Sequence, residues 1–305
     1  MVDLRRLAEE LNIDDIAVCN AEPFLDVESI LIKDKLLGIL PPFTEEDINK
    51  RIDPSQTLSD AKSFIVILQK YTPTLYKKRE GNYGNISPAA TGTDYHRIVR
   101  DKLNKLSEKL LEDDPNGVYM PFVDNSPFSE KHIALRANMG KILKNGLFYS
   151  NFLGSRCFIG ILLTNRDVSS FELKSKKDIS MKKLDICNTC NACIKACPGG
   201  AISDKGFNSY RCVSYFTQKK EELTSEEEAA MGYQIYGCDI CQKNCPINGV
   251  IAKEYETGTE VDLDQLLAMS NKQFKEVYQA TAAGWRGKKQ LQRNAEIALK
   301  NKEKI

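Results

Sequence analysis

The chain has 305 residues, 42% of them hydrophobic, and its 43 Lys and Arg against 42 Asp and Glu leave a formal charge of +1. That length gives room for about two domains, and the near-neutral balance places no global demand on nucleic acid or membrane. The longest apolar runs are about seven residues, well short of the ~20 that span a bilayer. The opening MVDLRRLAEELNIDDIAVCN carries no apolar signal region, so a cytoplasmic protein in a reducing compartment is expected.

Leu4, Leu7, Ala8 and Leu11 recur at helical spacing, and a short strand follows around Ile16 to Cys19. After the turn at Asp53-Pro54, the run Phe64 to Leu68 (FIVIL) predicts a buried strand. Tyr95, Ile98, Val99, Leu103, Leu106 and Leu110 mark one face of a long helix. A strand from Val118 to Val123, a helix from Ser129 to Lys144 with Ser129 as N-cap, and a strand from Arg156 to Thr164 complete the front of the chain. Lys174 to Lys183 (KSKKDISMKK) turns basic and polar and is read as a linker. The element order predicts an α+β protein, its N-terminal α/β part built on a central sheet. The divisions expected are 1–175, a ferredoxin-like 176–255, and a C-terminal helical segment 256–305.

Eight of the ten cysteines lie between Cys187 and Cys245. The first four, Cys187, Cys190, Cys193 and Cys197 before Pro198, follow the C-x2-C-x2-C-x3-C-P signature of a [4Fe–4S] ferredoxin, whose fourth thiolate ligates the other cluster. The second set is Cys212, Cys238, Cys241 and Cys245 before Pro246. Crossing over yields Cys187, Cys190, Cys193 and Cys245 for one cluster and Cys212, Cys238, Cys241 and Cys197 for the other. Zinc takes paired hooks separated by a longer loop, and disulfides do not suit a reducing compartment. Cys19 and Cys157 sit in apolar runs and are expected to be small core residues.

The front part has no dinucleotide fingerprint, because Gly81, Gly84 and Gly92 are too widely spread, and no Walker A run. Only two histidines occur, His96 and His132, which excludes a multi-histidine metal site. Asp124 follows a strand directly and precedes a Ser-Pro turn and a helix start. A carboxylate there can work in a pocket or close an Asx turn. From Arg286 to Ile305 seven Lys or Arg face two Glu, with Leu291, Ala295, Ala298 and Leu299 at helical spacing. Such a helix can offer lysines to phosphate or be a solvated terminal helix.

Several ordered stretches together resemble the epoxyqueuosine reductase family, cobalamin-dependent iron–sulfur enzymes of queuosine-tRNA biosynthesis. They are DPSQTLSDAKSFIVIL (Asp53 to Leu68), GNISPAATGTDYHRIVRDKL (Gly84 to Leu103), VDNSPFSEKHIALRANMG (Val123 to Gly140), ICNTCNACIKACPGGAIS (Ile186 to Ser203), RCVSYFT, IYGCDICQKNCPIN (Ile235 to Asn248) and QRNAEIALKN. The resemblance implies a front domain that binds cobalamin and substrate, fed by two [4Fe–4S] clusters that an external flavodoxin- or ferredoxin-type donor reduces. It further implies two-electron removal of the epoxide oxygen of epoxyqueuosine in tRNA, through nucleophilic Co(I). Asp124 matches the family's catalytic acid, and Tyr95, His96 and Arg136 match positions near cofactor or substrate. Two differences stand out. Where family members carry a G-W-I-G-K-N-type stretch, this chain reads Gly140-Lys141-Ile142-Leu143-Lys144-Asn145. Longer members also continue into a C-terminal helical-repeat domain, which is not expected in a sequence that stops at Ile305. The competing readings are a related corrinoid reductase of another small molecule, as in reductive dehalogenases, and a non-enzymatic electron carrier.

Overall fold

The run Ser63–Lys70 is rich in β-branched and aromatic residues, which suit a pleated and buried surface, and Phe64 to Leu68 are all fully buried. In the computed structural model, which describes residues 1–77, 79–173, 185–249, 251–252 and 254–303, this run is an inner strand of a four-stranded antiparallel sheet. Asp15–Asn20 flanks it on one side and Cys157–Thr164 on the other, with Tyr119–Phe122 beyond. Val66 lies opposite both Ala17 and Ile161. Side chains alternate between faces. Phe64, Val66 and Leu68 join Phe24, Phe128, Ile133 and Ala134 in one core, and Phe64 meets Phe128 edge-on at 5.3 Å between ring centroids.

The opposite face takes the helix Tyr95–Asp113, whose buried stripe is Val99, Leu103, Leu106 and Leu110. Gly160 makes the close approach possible, since a Cβ there would lie 2.5 Å from Val99 Cγ1. Ile98, expected on the stripe, is 38% exposed, because adjacent helical residues point about 100° apart. The expected helix from Ser129 to Lys144 is much shorter. It spans Glu130–Arg136, Asn138 then turns left-handed at φ 57°, and Gly140–Ile142 pairs as a strand with Phe148–Ser150. Met139, Ile142 and Leu143 keep helical spacing by coincidence, while a Cβ at Gly140 would meet the Tyr149 carbonyl at 1.9 Å. The basic stretch Lys174 to Lys183 lies outside the described residues.

The chain forms two compact units that are discontinuous in sequence. The first comprises Met1–Lys70, His96–Leu143 and Leu147–Asp185, and the second Tyr71–Tyr95, Lys144–Gly146 and Ile186–Ile305. In the second unit, Tyr83–Ile86 is the middle strand of a three-stranded sheet, parallel to Gln234–Tyr236 and antiparallel to Thr259–Asp262. Its core gathers Ile86, Ile235, Leu263, Leu266, Phe274, Leu291 and Ala295. The helix Lys288–Lys302 supplies the last two and buries Asn294, whose amide donates to the carbonyls of Thr217 and Ile235 at 2.8 Å each. Its apolar face therefore packs inward, as the leucine and alanine spacing requires. Its basic side chains are largely engaged with the same unit. Lys300 pairs with Glu228 at 2.6 Å, Lys288 and Lys302 donate to backbone carbonyls, and Arg293 donates to those of Phe216 and Lys219. Among the described residues, no helix is long and apolar enough to cross a membrane.

Candidate active site and candidate cluster ligands

Short turns and helices present the cysteines of the second unit. Cys187 lies in the turn Ile186–Asn188, Cys193 in the helix Ala192–Ala196, and Cys241 in the helix Ile240–Lys243. Those two helices pack on each other. Cys212 caps the helix Val213–Phe216. Gly199 lets the Cys197-Pro198 turn close on the chain before Cys212, because a Cβ at Gly199 would lie 2.0 Å from the Arg211 carbonyl. The Ala201 N–H donates to Cys197 Sγ at 3.3 Å.

The thiols fall into two electrostatic groups. Burial raises the Cys193 thiol, and the neighbouring sulfurs of Cys187 and Cys245 raise it further. Burial pushes Cys238 up to about 12, with Cys212 and Cys197 adding to the effect. Cys241 is likewise driven up by burial, then by Cys238, Cys212 and Cys197, and Cys212 by burial and Cys197. Crowded thiols in a poorly hydrated site resist ionisation unless cationic metal compensates them, so the donor set fits iron. Among the described residues, no three His, Cys, Asp or Glu side chains close around a single-ion site. A cubane asks for a wider spread, each thiolate binding its own corner iron. Lys144, from the stretch that departs from the family pattern, donates to the Cys190 carbonyl at 3.3 Å and to Asn191 Oδ1 at 2.9 Å. It places a cation beside the first cysteine set.

In the first unit the strand Tyr119–Phe122 ends and Val123 is buried, but Asp124 turns outward at φ 55°. This left-handed geometry is one that Asp tolerates better than most residues with a Cβ. Asp124 is 49% exposed, and its Oδ2 lies 3.3 Å from His96 Nε2 at the start of the helix Tyr95–Asp113. Six residues on, Glu130 opens the helix Glu130–Arg136. Its carboxyl meets the Asp124 side chain, the Asp124 backbone N–H and the Ser126 hydroxyl. Glu130 Oε1 is buried without a hydrogen-bond partner. Burial, and then the Asp124 charge, raises the Glu130 pKa to about 8. Ser129 precedes the helix but makes no side-chain cap; its Oγ lies 2.7 Å from His132 Nδ1. Burial and then the Lys131 charge lower the His132 pKa to about 4.

These two constellations can be set against known proteins. The model described as epoxyqueuosine reductase QueG, DUF1730, matches residues 51–125, and the 4Fe-4S double cluster binding domain matches 186–248. Epoxyqueuosine reductase of Bacillus subtilis (strain 168) is 33% identical over 312 residues, covering 97% of this chain and 78% of that protein. The Lactococcus garvieae (strain Lg2) enzyme is 34% identical over 310 residues, covering 98% and 86%. The chain belongs to the epoxyqueuosine reductase family. Among solved structures, epoxyqueuosine reductase from Streptococcus thermophilus superposes with a TM-score of 0.85 at 34% identity, covering 98% of this chain and 80% of that one. An epoxyqueuosine reductase crystallised with an epoxyqueuosine-modified tRNA-Tyr stem loop gives 0.84 at 32% identity, covering 98% and 81%.

Of the residues that resemblance to the epoxyqueuosine reductases singled out, the structure brings His96 and Asp124 together. Tyr95, one residue before His96, packs against the apolar cluster of the second unit. Arg136 lies at the far end of its helix from Glu130. Its guanidinium stacks on Phe24 at 3.4 Å from the ring centroid, donates to the Glu22 and Pro23 carbonyls, and is 3.8 Å from Asp26. Sequence reasoning missed Glu130. An acidic residue in a first helical turn reads as an ordinary dipole partner, and only the fold shows it gripping Asp124.

Proposed function

We propose that the chain reduces epoxyqueuosine in tRNA to queuosine, with Asp124 as the acid that protonates the departing epoxide oxygen. The observation that carries this reading is the Asp124 turn, a half-exposed carboxyl held by His96 and Glu130 on a chain of this family. Removing the epoxide oxygen as water breaks both C–O bonds, forms a C=C bond, and consumes two electrons and two protons.

Cys187, Cys190, Cys193 and Cys245 would hold one [4Fe–4S] cluster, and Cys197, Cys212, Cys238 and Cys241 the other. The two groups of mutually interacting thiols support that division. The external donor is a low-potential flavodoxin or ferredoxin. A bound corrinoid would supply the low-potential two-electron centre, with Tyr95, His96 and Arg136 near it. His96 would sit beside Asp124 and His132 beside Ser129, so that the corrinoid would be held without either histidine as a ligand. Asp124 presents its outward carboxyl to pass a proton to the departing oxygen, and His96 orients that group.

Anaerobic purification with added cobalamin, followed by an assay on an epoxyqueuosine-containing tRNA stem loop, tests the proposal. Conversion to queuosine is expected. Corrinoid binding without conversion would overturn the substrate, and no corrinoid binding would leave an electron carrier.

A further inference from the structure

Two protons are consumed for each oxygen removed, yet Asp124 can deliver only one before it must be refilled. The structure puts a second carboxyl in direct contact with it. Glu130 hydrogen-bonds the Asp124 side chain and backbone N–H and meets the Ser126 hydroxyl. An ionised carboxylate is acceptor-only and needs donors at both oxygens. Glu130 Oε1, buried with no partner, disfavours that form, because an unpaired buried charge is costly.

We propose that Glu130 is a positioning residue that keeps a proton for Asp124, the two carboxyls sharing one proton across their hydrogen bond. The inference rests on the reductase reading above. The Glu130 O–H breaks, a new O–H forms on Asp124 and the negative charge moves to Glu130. Asp124 then passes that one proton to the departing oxygen, both carboxyls are left ionised, and solvent supplies the second proton. Solvent refills the pair after product leaves. The raised pKa of Glu130 agrees with this arrangement, since burial is its largest cause and the Asp124 charge the next. The other charged groups nearby are accounted for. His96 lies on Asp124 itself, and Arg100 of the same helix donates to the Pro121 carbonyl at 3.0 Å. On the helix of Glu130, Lys131 is coupled to Asp34 and Arg51, and His132 is held by Ser129.

A grip on the Asp124 loop alone would make Glu130 a structural residue, so the test needs a proton readout. Infrared titration of the cluster-bearing full chain, without cobalamin or substrate, should show a protonated carboxyl band that persists at pH 7 and disappears near 8. Glu130→Gln should lose that band at pH 7, because the carboxyl that carries it is gone. In turnover, the alkaline limb of kcat should move to lower pH, with KM unchanged. A band and a limb that stay put in Glu130→Gln would overturn the proposal. So would a wild-type chain with no protonated carboxyl at pH 7. Should Glu130→Gln fail to fold, Glu130→Asp takes its place. Its shorter reach should shift the band toward lower pH, and an unshifted band is the adverse result. The infrared arm needs no substrate, so a chain inactive on epoxyqueuosine still tests the carboxyl pair.

Discussion

The cysteine turns of the second unit and the Asp124 turn of the first place reactive groups by opposite means. Cys187 lies in one short turn and Cys193 in one short helix, with Cys190 between them and Cys197 at the helix C-cap, so local spacing sets most of their geometry. Asp124, Glu130 and His96 come from a strand end, a helix start and a second helix, and they meet only because the four-stranded sheet has formed. Electron carriers need many identical ligands at fixed intervals. Proton handling needs a few carboxyls whose burial differs, and burial is a property of the whole fold.

The largest expected effect tests the cysteine side. Cys212→Ala should reduce iron and sulfide from about eight to about four of each per chain, since one cubane loses a ligand. A full complement in that variant would break the crossed assignment. On the carboxyl side, Asp124→Asn keeps size and tolerates the left-handed turn. Turnover should fall by roughly 10²–10⁴, with cluster absorbance and fold retained. Loss of folding would return Asp124 to a turn residue. Leu291→Ala removes a fully buried side chain from the core of the second unit. It should cost about 2–5 kcal/mol in denaturant unfolding and weaken cluster retention, while the Asp124–Glu130 pair titrates as before.

Two smaller effects sharpen the contrast. Electron paramagnetic resonance of the cobalt(II) form should show no protein imidazole nitrogen on cobalt, because both histidines are engaged elsewhere. A histidine signal would reassign His96. The smallest effect is on stability against pH. His132 is depressed from 6.5 to about 4 in the folded chain, so between those values the unfolded state binds more protons. Stability should fall as pH drops from about 6.5 toward 4. His132→Gln should flatten that slope, as read by chemical denaturation at a series of pH values.

The same contrast explains what the amino-acid pattern revealed. Buried strands such as Phe64 to Leu68 and the stripe Val99, Leu103, Leu106 and Leu110 were legible because one periodicity dominates each. The helix expected to reach Lys144 stops at Arg136, since only tertiary contact shows Gly140 lying against the Tyr149 carbonyl. The cysteine pattern was legible from spacing, and the double-cluster domain matches the same stretch, 186–248. Asp124 stood out through its strand end and its family match, whereas Glu130 became visible only as a buried oxygen beside it. The basic terminal helix left two readings open, and the structure commits most of its cations to internal carbonyls and Glu228.

Tyr83–Ile86 sits mid-sheet between Gln234–Tyr236 and Thr259–Asp262, and this limits how the chain can be cut. A fragment beginning at Ile186 would keep every cluster cysteine but lose the middle strand, exposing two edges and the Ile86 face of the core. Ending it at Asn248 would also strip Leu263, Leu266 and Leu291. The electron-carrying half is therefore not a portable cassette. A chimera that transplants it must carry residues 71–95 and the helix Lys288–Lys302 along with the cysteines.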